Sequence, residues 1–307
     1  MLLLLTLAAV VAIPLGLDLY MPVPEENLLT VEKIELGRRL FNDRRLSRDG
    51  SIACASCHDP GRAFSDGRAV AVGVFGRIGR RNAPAIINRG YGRAFFWDGR
   101  SPSLEEQVLK PIQDPNEMDL TLAEASSRVN LDVTTIARAL ASYVRSILSG
   151  DSPYDRFVNG ERTALSGPQQ AGLQSFRGKG NCTACHVGPN LTDERLHNTG
   201  VAWRDPAATS GQAGSLQDRG RVVVTGRPED AGAFKTPTLR EIARTAPYMH
   251  DGSLATLEEV VEFYDDGGRP NPYIDPEIHP LHLSVEEKRA LVTFLKSLSG
   301  SIREGQP

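Results

Sequence analysis

The chain has few large aromatic side chains and no concentration of positive charge. Phe, Trp and Tyr together make up 6% of its 307 residues, a small supply for packing a hydrophobic core. The formal net charge is −3, and no run of Lys or Arg occurs anywhere in the chain. Because nucleic-acid-binding domains carry a basic patch or stripe, this composition excludes that class of partner.

Cysteine is equally scarce, and its distribution is the most informative feature of the chain. All four cysteines fall in two copies of one pattern, Cys54-Ala55-Ser56-Cys57-His58 and Cys182-Thr183-Ala184-Cys185-His186. Cys-x-x-Cys-His is the attachment signature of haem c, in which the cysteines form thioethers and the adjacent histidine ligates the iron. The pattern predicts two covalently bound haems c with His58 and His186 as proximal ligands.

Two other interpretations of the cysteines are weaker. A four-cysteine zinc site would require the two pairs to converge, and it would not explain the histidine after each pair. A disulfide across two intervening residues is strained and usually redox-active, which fits poorly with two such loops in different contexts.

The spacing of the two sites predicts the domain organisation. Cys54 and Cys182 are 128 residues apart and divide the chain almost evenly. An apolar segment with helical spacing precedes each site, and Ser166-Gly167-Pro168 opens the second one as a helix start. We therefore predict a mainly α fold with long loops and little β. Two cytochrome c-type haem domains, residues 23–163 and 164–307, would be related by duplication.

Several local patterns predict secondary structure. The clearest helical stripe consists of Val133, Ile136, Leu140, Tyr143, Val144 and Ile147. Helix-starting capping boxes occur at Ser103 to Glu106, Thr256 to Glu259 and Ser284 to Glu287. The clearest strand is predicted at residues 221–225. The glycine-rich residues 73–79 lack a βαβ context, so we expect a mobile loop near the first haem instead of a nucleotide site.

The first residues predict export. Met1 to Leu17 is almost wholly apolar, and the first basic residue is Lys33. The length suits a secretory signal, although a basic n-region and a small-x-small cleavage site are missing. We expect residues 1–22 to be a signal peptide or an uncleaved membrane anchor, followed by a Pro-rich linker at residues 21–27. Since bacteria attach haem c outside the cytoplasmic membrane, the expected location is the periplasm.

A series of motifs resembles a known family, the bacterial dihaem cytochrome c peroxidase and MauG superfamily. The resemblance covers roughly residues 30 to 300, in the family's order. Its segments, besides the second haem site, are residues 54–60, 81–84, 96–100, 104–107, 117–118, 235–240 and 246–252.

The resemblance implies roles for residues around the N-terminal, peroxidatic haem. Glu117 matches the distal carboxylate that moves a proton between the peroxide oxygens, and Gln107 matches the amide that positions bound oxygen. Trp97 matches the aromatic residue between the haems. Val74 occupies the position where many family peroxidases have a capping histidine, which implies an open N-terminal haem.

The resemblance implies further ligands in the C-terminal, electron-transfer half. Tyr264 aligns with the sixth ligand of the second haem, as in MauG, with Met249 as the thioether alternative. A core aromatic role for Tyr264 stays open. His250 is expected in the haem environment, whereas His197, His279 and His282 are expected at the surface. Asn82, through its side chain, and Thr245 and Pro247, through their carbonyls, match a calcium site between the domains.

The resemblance implies two candidate functions and argues against a third, that of a plain electron carrier. The first function is a peroxidase that reduces hydrogen peroxide to water through Fe(IV)=O, with electrons from a small cytochrome c or cupredoxin. The alternative is a MauG-like oxidase that oxidises side chains of a partner protein. Gln107 and Glu117 argue against a plain dihaem electron carrier. A homodimer stays open at this level.

Overall fold

The computed structural model describes residues 11–203 and 216–305, which are mainly helical with little strand. In the N-terminal half the helices are α1 (Val31–Phe41), α2 (Cys54–Cys57), α3 (Leu104–Gln107), α4 (Lys110–Gln113), α5 (Leu122–Val129), α6 (Val133–Arg145) and α7 (Pro153–Val158). In the C-terminal half they are α8 (Gly167–Arg177), α9 (Val222–Thr225), α10 (Leu257–Asp265) and α11 (Val285–Lys296).

Short 3-10 turns and four short strands complete these elements. The 3-10 turns are Glu25–Asn27, Arg44–Leu46, Pro60–Arg62, Val74–Gly76, Arg89–Tyr91, Cys182–Ala184, Pro228–Asp230 and Ile242–Arg244. The strands form two antiparallel pairs: β1 (Leu148–Gly150) with β4 (Ser301–Arg303), and β2 (Leu196–His197) with β3 (Phe234–Lys235). Within the described residues no helix combines the length and apolar character needed to cross a membrane.

The core of the N-terminal half is built where α1 crosses α6. Ile34, Leu40 and Phe41 on α1 are buried, as the helical spacing predicted, and they pack in one cluster with the stripe on α6. Gly37 lies where the two backbones approach most closely, since any side chain there would collide with the Ala139 carbonyl. The crossing therefore depends on glycine at that position.

The C-terminal half contains an equivalent helix crossing. There α8 packs against α11, and Phe176 and Phe294 contact each other with ring centroids 5.2 Å apart. Gly172 on α8 faces the Ala290 carbonyl and the β-carbon of Phe294 on α11. The predicted helix starts at Ser166 and Ser284 are confirmed, because each residue is the N-cap of its helix.

A buried ion pair joins the two halves. Arg240 donates to both carboxylate oxygens of Asp155, at 2.8 Å and 2.9 Å, and the two side chains are 1% and 2% exposed. The same guanidinium donates to the carbonyls of Pro189 and Gly16. The β1–β4 pair adds a second connection, because it returns the end of the chain to the N-terminal half.

The predicted linker at residues 21–27 packs against the body of the protein. Met21 and Asn27 are buried, and Asn27 donates to the Glu105 carboxylate at 2.6 Å. Leu17 is also buried. No structural break marks the predicted boundary at residue 22, and residues 1–10 of the predicted leader lie outside the described part of the chain.

The predicted strand at residues 221–225 is wrong. Residues Val222–Thr225 form one helical turn that ends at Gly226, whose φ is +71°. Val223 and Val224 are exposed, so the run of β-branched residues does not serve a sheet. Strand propensity acts through packing against cross-strand neighbours, and the described structure supplies none here.

The predicted loop at residues 73–79 is tied to its surroundings. Val74 is fully buried, and its N–H donates to the Glu117 carbonyl at 2.8 Å. Gly73 donates to the Arg77 carbonyl and Gly79 to the Ala71 carbonyl, both at 2.8 Å. Its position beside Glu117 agrees with the expected proximity to the first haem site.

The close crossing in the C-terminal half predicts the effect of a single methyl group. In Gly172→Ala, collision with the Ala290 carbonyl should lower the free energy of unfolding by about 1–3 kcal/mol, even though alanine is the better helix former. Gln174→Ala, on the exposed face of α8, is the matched control and should stay within about 0.5 kcal/mol of the parent. Denaturant unfolding of the haem-loaded protein measures both, and equal stabilities would contradict the packing argument.

Candidate active site

One large cavity lies between the two halves of the molecule. Its volume is about 1390 Å³, larger than the about 300–1,000 Å³ typical of a pocket for a single small ligand. Both predicted attachment sites line it, with the residues Cys54, Cys57, His58, Cys182, Cys185 and His186. The cavity is therefore large enough for more than one bulky cofactor.

The two histidines share one hydrogen-bonding arrangement. Nδ1 of His58 lies 3.1 Å from the Phe64 carbonyl, and Nδ1 of His186 lies 2.9 Å from the Leu191 carbonyl. Because a carbonyl can only accept, each Nδ1 must carry the proton and donate it. Burial lowers the pKa of both imidazoles, so they are neutral. Each Nε2 is thereby left unprotonated, the state that a metal-ligating histidine requires.

The cysteines also fit haem attachment better than the alternatives. All four are free thiols, which agrees with the rejection of the disulfide interpretation. Burial raises the pKa of Cys54 and of Cys182 to about 12, so both thiols are neutral when no group is bound to them. Among the described residues, the one cluster of metal-type donors is Cys185, Asp193 and His197, not a set of four cysteines.

The predicted distal residues line the cavity beside the first attachment site. Gln107 ends α3, and Glu117 lies in the turn that follows α4. Burial, reinforced by the nearby Asp114 carboxylate and opposed by Arg100, raises the pKa of Glu117 to about 7. A carboxyl group with this pKa can both accept and return a proton near neutral pH.

Trp97 connects the two halves through hydrogen bonds. Its indole N–H donates to the Asn82 carbonyl at 2.9 Å, and its own carbonyl accepts from the Lys235 N–H at 2.7 Å. Lys235 belongs to β3, next to the second attachment site. Trp97 also lines the cavity.

The structure brings both candidates for the sixth ligand to the cavity. Tyr264 on α10 and Met249 both line it. Met249 adopts a left-handed backbone with φ of +72°, which is uncommon for a residue with a side chain.

The expected surface position of His197 is wrong. Its Nδ1 lies 2.6 Å from Asp275 and its Nε2 lies 2.9 Å from Asp193, and the side chain is 16% exposed. Hydrogen bonding to Cys185 and to the two carboxylates raises the pKa of His197 to about 10. His279 lies exposed at the cavity rim, and His282 is exposed as expected.

His250 and the predicted calcium residues lie together. His250 lines the cavity and stacks on Phe234, with ring centroids 3.7 Å apart. The Asn82 N–H donates to the His250 carbonyl at 2.8 Å, which places Asn82 beside the segment that contains Thr245 and Pro247. All three predicted calcium ligands line the same cavity.

One buried charge cluster between the halves escaped the sequence analysis. Glu194 accepts from Arg89 at 2.6 Å and 3.0 Å and lies 3.5 Å from the Lys235 ammonium. Burial lowers the pKa of Lys235 to about 8. The three residues are far apart in sequence, so no local pattern could have revealed that they meet.

These features define the class of the protein. A mainly helical chain in which two Cys-x-x-Cys-His sites face one cavity, each with a neutral and carbonyl-bonded histidine, is a dihaem c-type protein. The half-buried carboxyl and amide groups beside the first site distinguish it from a simple electron carrier.

Comparison with known proteins identifies the family. The family model described as di-haem cytochrome c peroxidase matches residues 31–133. The methylamine utilization protein MauG of Methylorubrum extorquens is 37% identical over 296 residues, which cover 90% of this chain and 81% of the relative. The cytochrome-c peroxidase IdrP2 of Denitromonas iodatirespirans is 37% identical over 313 residues, which cover 91% of this chain and 84% of the relative.

A solved structure gives the same result. A MauG-like protein associated with microbial copper homeostasis superposes with a TM-score of 0.82 at 36% identity, covering 94% of this chain and 96% of that one. The chain belongs to the dihaem cytochrome c peroxidase and MauG family, whose members are oxidoreductases. The resemblance drawn from the sequence motifs is confirmed.

The attachment sites predict haem content directly. Mass spectrometry of the haem-loaded protein should detect two covalent haems, one for each Cys-x-x-Cys-His site. Cys57→Ser should remove the first haem and Cys185→Ser the second, because each substitution deletes one thioether anchor. A single haem in the parent protein would contradict the assignment of both sites.

Proposed function

We propose that this protein reduces hydrogen peroxide to water with electrons from a small cytochrome c or cupredoxin. The observation that carries the proposal is the position of Glu117 and Gln107, which line the same cavity as both haem attachment sites. An electron carrier needs only the attachment sites. A carboxyl group with a pKa near neutrality beside the first site adds the acid/base group that peroxide cleavage requires.

Each half of the chain would hold one haem, and the two haems would have different roles. Cys54, Cys57 and His58 would hold one haem, and Cys182, Cys185 and His186 the other. Bound in this way, the haems would supply the redox chemistry, with reaction of peroxide on the side of His58 and storage or relay of an electron on the side of His186. The carbonyl-bonded Nδ1 of each proximal histidine fixes the ring orientation of the ligand.

Glu117 acts as the proton carrier of the reaction. Its carboxylate accepts the proton of one peroxide oxygen and returns it to the other, so that water can leave. The Gln107 amide can hydrogen-bond the same molecule and orient it. Because the carboxylate must be present to accept the proton, the rate of reaction with peroxide should rise with pH up to about 7, the pKa of Glu117.

Trp97 provides the connection between the haems. Its hydrogen bonds to Asn82 and Lys235 hold it against both halves of the molecule. A fixed aromatic ring in this position can carry an electron or a hole between the two sites.

Replacement of the proton carrier tests the peroxidase proposal. Glu117→Gln should retain both haems but slow the reaction with peroxide by about two to four orders of magnitude, the usual contribution of a positioned acid/base. Stopped-flow absorbance measures the first spectral change after mixing. Glu161→Gln, which changes an exposed glutamate outside the cavity, is the control and should react like the parent. An undiminished rate in Glu117→Gln would remove this residue from the mechanism.

A MauG-like function is the second candidate, in which the protein would oxidise side chains of a partner protein. Two positions favour it: Val74, where a capping histidine is missing, and Tyr264, which lines the cavity beside the second attachment site. An anionic oxygen ligand stabilises an oxidised metal, whereas a thioether stabilises the reduced one. The relatives include proteins with both names, MauG and cytochrome-c peroxidase.

The identity of the sixth ligand separates the two candidates. If Tyr264 ligates the second iron, electron paramagnetic resonance of the resting enzyme should show a low-spin signal that Tyr264→Phe abolishes, with an unusually low potential at that haem. Met249→Leu should leave the signal unchanged. The opposite pair of results, loss in Met249→Leu and survival in Tyr264→Phe, would favour the peroxidase branch.

The finer organisation belongs to the same proposal. We infer that residues 23–163 and 164–307 are two haem domains related by duplication, supported by the matched crossings at Gly37 and Gly172. A calcium ion held by Asn82, Thr245 and Pro247 would tie them together. Export to the periplasm through residues 1–22, anchoring there and a homodimer remain predictions of the sequence.

A further inference from the structure

A second, smaller cavity adjoins the large one at Glu117. Its volume is about 270 Å³, and it opens more widely to solvent. Phe96, Arg100, Asp114 and Glu117 line both cavities, whereas Lys110 and Gln113 line only the outer one. The four shared residues therefore form a wall between the two cavities. Below, the large cavity is called the chamber and the smaller cavity is called the outer pocket.

The wall is rigid on the side of Phe96 and Arg100. The Arg100 guanidinium lies 3.5 Å from the centre of the Phe96 ring, and it donates to both oxygens of Asp98 at 3.0 Å. Phe96 has a φ of +65°, a conformation that costs free energy for a bulky residue and that concentrates at functional sites. The fold holds this aromatic ring in a strained backbone position beside the chamber.

The other side of the wall carries Asp114. Its carbonyl accepts from the Glu117 N–H at 3.0 Å, and its side chain accepts from the Asn116 N–H at 2.8 Å. These bonds close the turn that holds both carboxyl groups. Asp114 is thus the acidic neighbour of Glu117 at the point where the chamber meets the outer pocket.

We infer that the outer pocket is the port through which hydrogen peroxide and protons reach the chamber, with Asp114 as a positioning residue for the Glu117 carboxyl. The inference rests on the proposed function. Peroxide is small and hydrogen-bonds at both ends, which suits a pocket lined by amide, ammonium, guanidinium and carboxylate groups. Reduction of peroxide also consumes protons, and a half-buried carboxyl can receive them only along a path to solvent.

The charges around Glu117 determine whether loss of the Asp114 charge raises or lowers the pKa of Glu117. Asp114 faces Glu117 as a like charge and Arg100 as an opposite charge, and Lys110 stands on the outer wall. Asp119 in the same turn is paired with Arg77, and the nearby Cys54 and Cys57 would be uncharged as haem thioethers. Loss of the Asp114 charge should lower the pKa of Glu117, so the rise of peroxide reactivity should move to lower pH.

Asp114→Asn tests the positioning role. Asparagine keeps the oxygen that accepts from Asn116, so the turn should persist while the charge is lost. The pH profile of the reaction with peroxide should shift toward lower pH relative to the parent. Asp151→Asn, at an exposed position outside the cavity, is the matched control and should not shift the profile. An unshifted profile in Asp114→Asn would overturn its role.

Gln113→Trp tests the port itself. Gln113 is exposed, so a larger side chain should fill the outer pocket without disturbing the core. The second-order rate constants for peroxide and for cyanide should both fall by about tenfold or more, since changes within one binding site move association rates by one to three decades. The dissociation constant of cyanide should stay unchanged, because a blocked port slows binding and release alike.

Cyanide separates this inference from the proposed function. It binds haem iron without any peroxide chemistry, so it reports access even if the parent protein does not reduce peroxide. Unchanged cyanide and peroxide association in Gln113→Trp would overturn the port and leave the peroxidase proposal standing. A slowed cyanide reaction in a protein inert to peroxide would support the port and reject the peroxidase.

Discussion

The hydrogen bond from Nδ1 of each proximal histidine to a backbone carbonyl is the constraint on which the site depends. It fixes the proton on Nδ1 and directs the unprotonated Nε2 of His58 and of His186 toward one cavity. The accepting carbonyls, at Phe64 and Leu191, each lie five or six residues beyond the histidine. The tight loop after each attachment motif therefore does as much for ligation as the motif itself.

The two halves must also keep a fixed relation, because the cavity has walls from both. Buried charge pairs across the boundary maintain it, Arg240 with Asp155 and Arg89 with Glu194. Removing one partner of such a pair leaves the other buried without compensation, at a cost of about 3–5 kcal/mol. The hydrogen bonds of Trp97 to Asn82 and to Lys235 depend on the same relation, because these two partners belong to different halves.

The sequence patterns correctly predicted those helices whose starts and buried faces depend on interactions between residues close in sequence. The helix starts at Ser166 and Ser284 and the stripe on α6 follow from capping and periodicity, and all are present. The strand expected at residues 221–225 is missing, because a β-branched run without a neighbouring strand gains little from extension. This error shows that strand propensity alone does not predict the conformation of a segment whose tertiary contacts determine it.

The remaining surprises came from contacts between distant residues. His197 was expected at the surface, but its ring is hydrogen-bonded to Asp275, which lies 78 residues away in the sequence. The cluster of Arg89, Glu194 and Lys235 and the outer pocket beside Glu117 arise in the same way, from segments that meet only in the folded chain. The cofactor sites were predictable because haem attachment requires a contiguous motif. The tuning of Glu117 was not, since burial and the opposing charges of Asp114 and Arg100 decide its pKa.

Steady-state turnover of hydrogen peroxide with a reduced small cytochrome c or cupredoxin tests the central claim most directly. The account predicts catalytic oxidation of the donor, with a pair of donor molecules oxidised for each peroxide consumed. A protein that carries both haems but oxidises neither donor when peroxide is supplied would contradict the peroxidase assignment.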